Sequence, residues 1–492
     1  MSKSIPGAQK FENARVAVLG LGKSGRAAID ALAEHTSAVV SAWDANESAV
    51  APYLSDERVS YAACDAQPEA LVEAVIEWAP DLVVIAPAFR EQGVEWERLQ
   101  AAQIPVWSEI ELAWHLRAQH EDGTYAPWLA ITGTNGKTTT TTMTAAILKE
   151  AGLGSVAVGN VGTPVVTAVS DTSDDAPRAF ALELSSFQLF STYSMSAAAA
   201  ICLNLADDHL EWHKGFSSYR NAKAKIYENA QVACLYPVGD SAVQSMVDEA
   251  DVVEGARAVG LVLGVPSIGQ IGIVEGVVVD RAFGPNRDSQ AVELFTIDDI
   301  AHLAPAHSGL PAHIVKDALA AAALTRAIGV DPIHIKNALA NFPSGAHRIE
   351  LVAQTRGVFW VDDSKATNAH AALASLRAQN DGEVVWIAGG QPKGSRFVEL
   401  VSQVSAKLKA VVVIGVDQEP WHEALADLSV PVEYIAPEVA APMRSAVIAA
   451  AGYAQPGDTV LLAPASASMD QFTSYSDRGE QFARYALELG QE

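Results

Sequence analysis

The feature that most constrains the fold of this chain is a glycine-containing loop between an apolar stretch and a threonine-rich one. The apolar residues 128–130 predict a buried strand, the loop reads ITGTNGKTTT over residues 131–140, and residues 141–151 predict a helix. A strand, a glycine turn and a helix N-terminus form a cradle in which main-chain N–H groups and the positive helix end face a phosphate. Lys137 would add a positive charge there, and the hydroxyl of Thr138 is suited to Mg²⁺. The pattern predicts a nucleotide-phosphate site.

The loop differs from the common G-x-x-x-x-G-K-[ST] pattern, because Ile131 occupies the position of the first glycine. The alternative interpretation is a polar helix start with a capping threonine and a solvated Lys137. We favour phosphate binding because a strand precedes the loop and the Gly136-Lys137-Thr138 core is intact.

Length and charge limit what the chain can be. At 492 residues it is too long for one core of ordinary size, so several domains are expected. The formal net charge of −26 disfavours a nucleic-acid partner, because that field repels phosphodiester backbones. The three cysteines, Cys64, Cys202 and Cys234, lack metal-ligand spacing and suit a reducing compartment. No apolar run could span a bilayer and no signal peptide is evident, so we predict a cytoplasmic protein without membrane insertion.

A second glycine-rich loop lies near the N-terminus. The apolar stretch 15–19 predicts a strand and is followed by GLGKSG over residues 20–25, while a second predicted strand, 38–43, ends at Asp44. This is the dinucleotide-binding pattern, with an acid near the distance expected for a ribose hydroxyl. Further strands at 81–86 and 104–107 predict a Rossmann-like domain. The alternative is that Gly20, Gly22 and Gly25 only pack a helix against a strand.

The central region carries the next candidate site. The predicted strand 179–182 ends at Glu183, where phosphate-loop folds place an acid directed at Mg²⁺. The stretch DDHLEWH contains His209, but a zinc helix of the H-E-x-x-H type would need glutamate where Leu210 stands. Lys223 lies on a predicted helix at 216–227, and such a lysine is ordinarily solvated.

The last region repeats the alternation of strands and helices. Strands are predicted at 358–361, 384–388, 411–415 and 460–463. Open α/β sheets bind ligands beyond the carboxyl ends of their strands. Polar side chains follow three of these strands, and we predict one crevice lined by Lys365, Thr367, Lys393 and Ser468.

The predicted architecture is an α/β protein of three domains: a Rossmann-like N-terminal domain, a central P-loop-type ATPase domain and a Rossmann-like C-terminal domain. The predicted boundaries are 1–118, 119–345 and 346–492.

Several motifs together resemble those of the Mur ligases, over nearly the whole chain. They are GTNGKT, LELSSFQL, DDHLEWH followed by YRNAKAKIY, HR at 347–348, DDSKATN, GGQPKG and PASASMDQF. The resemblance implies a cytoplasmic ligase of peptidoglycan precursor synthesis. The DSKATN and SASMDQF loops are similar to those of members that use ATP to join D-glutamate to UDP-N-acetylmuramoyl-L-alanine through an acyl phosphate. No nucleic acid or membrane takes part, and a monomer is expected.

The resemblance also implies roles for individual residues. Catalysis would rest on Lys137, Glu183, His209 and Lys223. ATP would be bound by Gly133, Thr134, Asn135, Gly136, Lys137, Thr138, Thr139, Arg348, Asp363 and Lys365. The UDP-sugar would be bound by Leu21, Gly22, Lys23, Ser24, Asp44, Asn160 and His209, and D-glutamate by Thr367, Lys393, Ser468 and Tyr475. Two Mg²⁺ would be held by Thr138, Glu183, His209 and Lys223. Because a cationic lysine cannot ligate a metal, the resemblance implies that Lys223 is carbamylated.

Two departures from the family pattern affect these expectations. Ile314 and Asp317 stand where the family has asparagine, which puts the adenine contacts in question, and Ala86-Pro87-Ala88 replaces Ser-Pro-Gly beside the expected sugar-nucleotide. Three alternatives remain open from the sequence: an NAD-dependent oxidoreductase using the N-terminal glycines, a non-catalytic ATP-binding module, and a sister ligase that adds another amino acid.

Overall fold

Three β-sheets, each with a run of parallel strands, organise the protein. The structure is a computed structural model that describes residues 4–208, 211–304, 310–343 and 349–490. The described residues form two compact units, one from Met1–Ile297 with Lys316–Asn341 and one from Asp298–Val315 with Phe342–Glu492.

The first sheet confirms the Rossmann-like prediction for the N-terminal region. Its strands are β1 (Arg15–Leu19), β2 (Val39–Asp44), β3 (Tyr61–Cys64), β4 (Leu82–Ile85) and β5 (Val106–Trp107). They are all parallel, in the order β3-β2-β1-β4-β5. The direction of winding reverses between β1 and β4, where sheets of this type bind ligands.

The second sheet contains the phosphate loop. Its strands are β6 (Trp128–Thr132), β7 (Ala157–Gly159), β8 (Phe180–Glu183), β9 (Ala199–Cys202), β10 (Ala233–Pro237), β11 (Arg257–Leu261), β12 (Gln270–Val274), β13 (Val277–Asp280) and β14 (Val292–Thr296). The order is β14-β13-β12-β11-β10-β9-β6-β8-β7; β13 pairs antiparallel with both β12 and β14, and the other pairs of neighbouring strands are parallel. Since β6 lies between β8 and β9, the loops that follow these three strands meet at one edge.

The third sheet forms the core of the second unit. Its strands are β15 (Glu350–Thr355), β16 (Val358–Asp362), β17 (Val384–Gly389), β18 (Leu408–Ile414), β19 (Val432–Tyr434) and β20 (Thr459–Leu462). The order is β15-β16-β20-β17-β18-β19, with β15 antiparallel and the others parallel. Successive residues of β17 are all buried and face two different apolar clusters, one around Trp386 and one around Ile387. Burial on both faces is what a parallel sheet covered by helices requires.

The helices cover these sheets. They are α1 (Lys23–His35), α2 (Glu47–Val50), α3 (Pro68–Glu77), α4 (Val94–Ala101), α5 (Glu109–His115), α6 (Lys137–Glu150), α7 (Val165–Val169), α8 (Ser186–Phe190), α9 (Phe216–Ala224), α10 (Ser241–Glu249), α11 (Ala312–Ala327), α12 (Pro332–Ala340), α13 (Ala369–Arg377), α14 (Val398–Val404), α15 (Glu419–Leu425), α16 (Pro442–Tyr453) and α17 (Tyr475–Glu488). Among the described residues, no helix is long and apolar enough to cross a membrane.

One predicted helix start was wrong in a way that matters for the site. The helix expected from residue 141 begins at Lys137, because Gly136 has φ 83° and makes a sharp turn directly before it. Thr138 and Thr139 therefore lie in the first helical turn, beside the phosphate loop.

The sheets agree with an α/β architecture of three domains, since they lie within residues 15–107, 128–296 and 350–462. The first two sheets belong to the same compact unit. The boundaries at 118/119 and 345/346 remain predictions.

A buried carboxylate joins α5 to α7 inside the first unit. Glu109 is 3% exposed, its Oε1 accepts a hydrogen bond from the Val166 N–H at 2.6 Å, and its Oε2 has no partner among the described residues. Burial raises the pKa of Glu109 to about 7, although the Val166 and Val165 N–H groups oppose this. The folded state therefore binds a proton more readily than the unfolded chain.

Glu109→Gln is expected to stabilise the first unit at pH 8 and to change its stability little at pH 5. Because the folded pKa lies above the ordinary value of 4.5, stability falls as pH rises from about 4.5 to 7, by on the order of 3 kcal/mol. Unfolding midpoints of both proteins between pH 5 and pH 8 would measure this. A variant that is less stable than the wild type at pH 8 would contradict it.

Glu111, on the same helix, provides a control because its pKa is shifted in the opposite direction. Burial raises its pKa, but hydrogen bonds from His115, Ser194 and the Tyr193 N–H outweigh this and lower the pKa to about 2. This stabilisation is present above the unfolded pKa and is lost as the pH falls towards 2. Glu111→Gln is therefore expected to destabilise the first unit at pH 8.

Candidate functional site

The phosphate loop connects β6 to α6 through two glycines with positive φ. Gly133 has φ 147° and Gly136 has φ 83°. A Cβ atom on Gly136 would lie 2.5 Å from Oδ1 of Asp317, and its positive φ also disfavours any residue with a side chain. Lys137 folds back over the loop, and its Nζ donates hydrogen bonds to the carbonyl oxygens of Gly133 and Thr134, each at 2.9 Å. The predicted strand, turn and helix N-terminus are thus all present.

The loop after β9 holds the phosphate loop in place. The Asn135 N–H donates to Oδ1 of Asn204 at 2.9 Å, and Nδ2 of Asn204 donates to the Asn135 carbonyl at 3.1 Å. The Thr134 N–H donates to the Asn204 carbonyl at 3.0 Å. Sequence reasoning did not single out Asn204, and its position two residues after a strand that borders β6 was the available signal.

Lys223 is buried next to this loop, so its interpretation as an ordinary solvated lysine is wrong. It lies on α9 and is 2% exposed. Its Nζ donates hydrogen bonds to the Gly133 carbonyl at 2.9 Å and to Oγ1 of Thr132 at 3.2 Å. Burial and then the charge of Lys137 lower the pKa of Lys223 to about 7. Two lysine side chains therefore share the Gly133 carbonyl as an acceptor.

Glu183 stands at the end of the strand beside the loop. It pairs with Ile131 across β8 and β6 and is 2% exposed. Its Oε1 accepts a hydrogen bond from Nδ2 of Asn160 at 2.9 Å, whereas Oε2 has no partner among the described residues. A buried carboxylate oxygen without a partner is costly, and one beside a phosphate loop fits a hard cation such as Mg²⁺.

The remaining members of the predicted metal set are only partly described. His209 lies outside the described residues, and Thr138 lies in the first turn of α6. Within the ranges that the structure describes, no three His, Cys, Asp or Glu side chains form a cluster of the kind that holds a metal ion.

The reversal in the first sheet opens a cavity of about 570 Å³. Its lining includes Gly22, Lys23, Ser24 and Asp44 from the predicted site. Leu21 is buried, and its N–H donates to Oδ2 of Asp44 at 2.6 Å, so this carboxylate also fixes the glycine-rich loop. The glycines differ in function, since a Cβ on Gly25 would lie 1.9 Å from the Gly20 carbonyl oxygen, while one on Gly22 would meet no atom within 4 Å.

The loop after β4 forms another wall of this cavity and also contacts the chain around residues 212–213. The cavity lining from this loop includes Ala86, Pro87, Ala88, Phe89 and Arg90, of which sequence reasoning noted only the first three. The Pro87 carbonyl accepts a hydrogen bond from Nε1 of Trp212 at 3.0 Å, and Gln92 donates to the His213 carbonyl at 2.6 Å. The cavity wall is thus hydrogen-bonded to residues 212–213, which follow strand β9 in the chain.

In the third sheet, the loops after β16, β17 and β20 meet, because β20 lies between the other two strands. Lys365 and Tyr475 are in contact, with Nζ 3.0 Å from the phenol oxygen and 4.3 Å from the ring centroid. Gln391, two residues before Lys393, pairs with Ala467, next to Ser468. Thr367 lies in the same loop as Lys365, and its N–H donates to the Lys365 carbonyl. The sequence-predicted crevice residues therefore lie on three adjoining loops.

Of two further residues predicted for the ATP site, Asp363 is described by the structure and Arg348 is not. Asp363 is buried, and its carboxylate accepts a hydrogen bond from the hydroxyl of Ser375. Arg348 lies outside the described residues. Asp317, noted as a departure from the family pattern, lies against the phosphate loop, and its Oδ1 accepts a hydrogen bond from Thr140 at 3.2 Å.

Known proteins match both the sequence and the fold. The Mur ligase middle domain matches residues 131–255, and the Mur ligase, glutamate ligase domain matches residues 347–466. The UDP-N-acetylmuramoylalanine--D-glutamate ligase of Streptomyces coelicolor is 43% identical, covering 98% of this chain and 99% of its own. The ligase of the same name from Leifsonia xyli subsp. xyli is 44% identical, covering 95% of this chain and 91% of its own.

Solved structures agree at the level of the fold. UDP-N-acetylmuramate-alanine ligase MurC from Thermotoga maritima has a TM-score of 0.54 at 18% identity, covering 96% of this chain and 99% of its own. MurF ligase from the same organism, in complex with ADP, has a TM-score of 0.52 at 17% identity, covering 98% and 96%. The phosphate loop, the cavity and the meeting of three loops thus occur in a chain that belongs to the Mur ligase family, among the UDP-N-acetylmuramoylalanine--D-glutamate ligases.

Proposed function

We propose that this protein uses ATP to join the amine of D-glutamate to the carboxylate of UDP-N-acetylmuramoyl-L-alanine. In the first step, the carboxylate attacks the γ-phosphorus of ATP, which forms an acyl phosphate and releases ADP. In the second step, the amine attacks the acyl carbon, loses a proton, and expels inorganic phosphate as the amide forms. The comparisons do not support an NAD-dependent oxidoreductase.

The observation that carries this proposal is the convergence of two lysines and one carboxylate on the phosphate loop. Lys137 and Lys223 both donate to the Gly133 carbonyl, and Glu183 lies on the adjacent strand. Transfer of a phosphoryl group to a carboxylate brings two anions together, so the positive charge of Lys137 at this point lowers the barrier.

The site also fits the metal that such a reaction uses. Thr138 and Glu183 are proposed for one Mg²⁺, and Glu183, His209 and Lys223 for a second. Bound Mg²⁺ would neutralise phosphate charge. For Lys223 to act as a ligand, its neutral amine must add to CO₂ and lose a proton, which gives an anionic carbamate. Burial supports this, because it lowers the pKa of Lys223 to about 7 and so favours the neutral amine.

The other ligands are proposed for the sites at the edges of the first and third sheets. The cavity beside Asp44 would bind the UDP group, and Asn160 with His209 the muramoyl-alanine part. Thr367, Lys393, Ser468 and Tyr475 would bind D-glutamate, where Lys393 pairs with a carboxylate of the substrate. Arg348, Asp363 and Lys365 would act on the ATP side.

Phosphate release from ATP tests the function directly. It should require the UDP-sugar and D-glutamate together, with an amide product of the expected mass. Release of phosphate with neither substrate, or nucleotide binding with no amide, would favour a non-catalytic or unrelated ATP-binding protein.

The acceptor is tested by comparing D-glutamate with L-lysine and meso-diaminopimelate. D-Glutamate should be the substrate, and preference for either of the others would assign the chain to a sister activity. Saturable binding of NAD, without ATP hydrolysis in the presence of both substrates, would contradict the ligase function and favour an oxidoreductase.

Asp44→Ala is expected to raise the KM for the UDP-sugar by about 10- to 100-fold, because the Asp44 carboxylate lines the cavity and also accepts from the Leu21 N–H in the glycine-rich loop. The KM values for ATP and D-glutamate should stay within about twofold, since their proposed sites are elsewhere. Steady-state kinetics with each substrate varied in turn measures this. An equal rise in all three KM values would contradict a role specific to the cavity.

A further inference from the structure

Arg478 is a buried arginine on α17 that the sequence analysis did not single out. Its side chain is 0% exposed, although it carries a guanidinium group. Burial of a charge requires that every donor finds an acceptor. The contacts of this one side chain therefore show what it holds together.

The guanidinium reaches the loop after each of three adjacent strands. Its Nε donates to Oγ of Ser364 at 2.9 Å and its Nη2 to the Ser364 carbonyl at 2.9 Å, both after β16. Its Nη1 donates to the Ser466 carbonyl, after β20, at 3.1 Å, and more weakly to the Gly389 carbonyl, at the end of β17, at 3.5 Å. A lysine could not make these contacts together, because only a planar guanidinium presents donors in a fixed fork.

The neighbouring residues show how closely the loops approach this group. The Ser364 hydroxyl, which accepts from Arg478, donates in turn to the Tyr475 carbonyl at the start of α17. A Cβ atom on Gly390 would lie 2.3 Å from the Ala467 carbonyl oxygen and 3.1 Å from Nη1 of Arg478. The loops after β17 and β20 are thus packed directly on the guanidinium.

The charge of Arg478 is not neutralised by its acceptors, which are one hydroxyl and three carbonyl oxygens. Burial lowers its pKa to about 10, so it remains cationic at neutral pH, and Asp470 and Asp362 act on it only through longer-range attraction. These two carboxylates compensate the charge within the fold, so the contacts of the guanidinium point to a role in holding the loops.

We propose that Arg478 is the positioning residue of the amino-acid site: it fixes the relative placement of the three loops that carry Thr367, Lys393 and Ser468. The proposal rests on the proposed function for the identity of the amino acid. It does not require Arg478 to touch the substrate.

The test uses Arg478→Lys in the full-length protein, with Arg484→Lys as the matched control. Arg484 is exposed on the same helix and bonds only to the hydroxyl of Tyr485 among the described residues. Arg478→Lys keeps the charge but loses the fork, so we expect kcat/KM for D-glutamate to fall about 10- to 100-fold, mainly through KM. The KM for the UDP-sugar should stay within about twofold. The KM for ATP should rise less than that for D-glutamate, because only the loop after β16 carries residues proposed for ATP, and Arg484→Lys should behave as the wild type.

Hydrogen exchange provides a measurement that needs no substrate. Residues 363–368, 389–394 and 464–471 should exchange faster in Arg478→Lys, with little change in the first and second sheets. Ser364→Ala removes the one side-chain acceptor and should give a smaller effect in the same loops, which keeps the test available if Arg478→Lys does not fold.

The outcomes separate this inference from the proposed function. An active wild type with Arg478→Lys indistinguishable from Arg484→Lys would overturn the inference alone. Equal losses for all three substrates would overturn it too, because a merely structural residue would act in that way. A wild type that never depends on D-glutamate would refute the proposed function, while exchange in the three loops would still test the positioning role.

Discussion

Lys137→Ala should reduce turnover by about 10²- to 10³-fold or more, because it removes the positive charge where the phosphate loop leads into α6. In the structure, its Nζ lies over the loop and donates to two of its carbonyl oxygens. The loss should appear in kcat, since the charge stabilises the transition state more than the bound substrates.

The control for this variant is Lys149→Ala, on the same helix but exposed in its last turn. It should retain the activity of the wild type. Circular dichroism and the unfolding midpoint of both variants should match the wild type, because the side chain of Lys137 is only partly buried. If Lys137→Ala kept more than a few per cent of the activity, its proposed role would be wrong.

Lys223→Arg should also abolish the reaction, although it preserves the positive charge. A guanidinium cannot add CO₂ to form a carbamate, and it stays cationic where the proposed metal ligand must be an anion. The native Lys223 amine can lose its proton near neutral pH, since burial and the charge of Lys137 lower its pKa to about 7. The neutral amine is the form that can add to CO₂. Wild-type protein in ¹³C-bicarbonate should show a carbamate carbon signal that is absent from the variant.

Lys225→Arg is the matched control, two residues further along the chain. Lys225 bonds to the Phe190 carbonyl rather than to the phosphate loop, so the exchange of one cation for another should leave turnover intact. Wild-type Mg²⁺ dependence in Lys223→Arg, or no carbamate signal in the active wild type, would remove the carbamate from the mechanism.

The parts of the fold that were predictable are those in which a strand is buried on both faces. The stretches around Val18, Ile131 and Ile387 are nearly continuous apolar runs, so their residues alone indicate a strand. Strands such as Tyr61–Cys64 and Val432–Tyr434 lie at sheet edges and are short and partly exposed. Their residues carry no comparable pattern, and only pairing with a neighbour defines them.

The candidate site was predictable where a side chain follows a strong strand, as Glu183 does. It was not predictable where tertiary packing decides the environment. Lys223 lies in a helix whose sequence, FSSYRNAKA, is mostly polar, yet packing against the phosphate loop buries it. Arg478 was missed for the same reason, because an arginine on an amphipathic helix ordinarily faces water.

The contacts of Arg478 also bear on how the amino-acid preference of this ligase could be altered. Three of its four acceptors are main-chain carbonyl oxygens, of Ser364, Ser466 and Gly389. A main-chain oxygen remains when a side chain is exchanged, so the loop framework does not depend on the identity of most residues that face the substrate. Libraries that vary Thr367, Lys393 and Ser468 while keeping Arg478 and Gly390 unchanged should therefore yield folded proteins, and selection among them can address acceptor choice separately from stability.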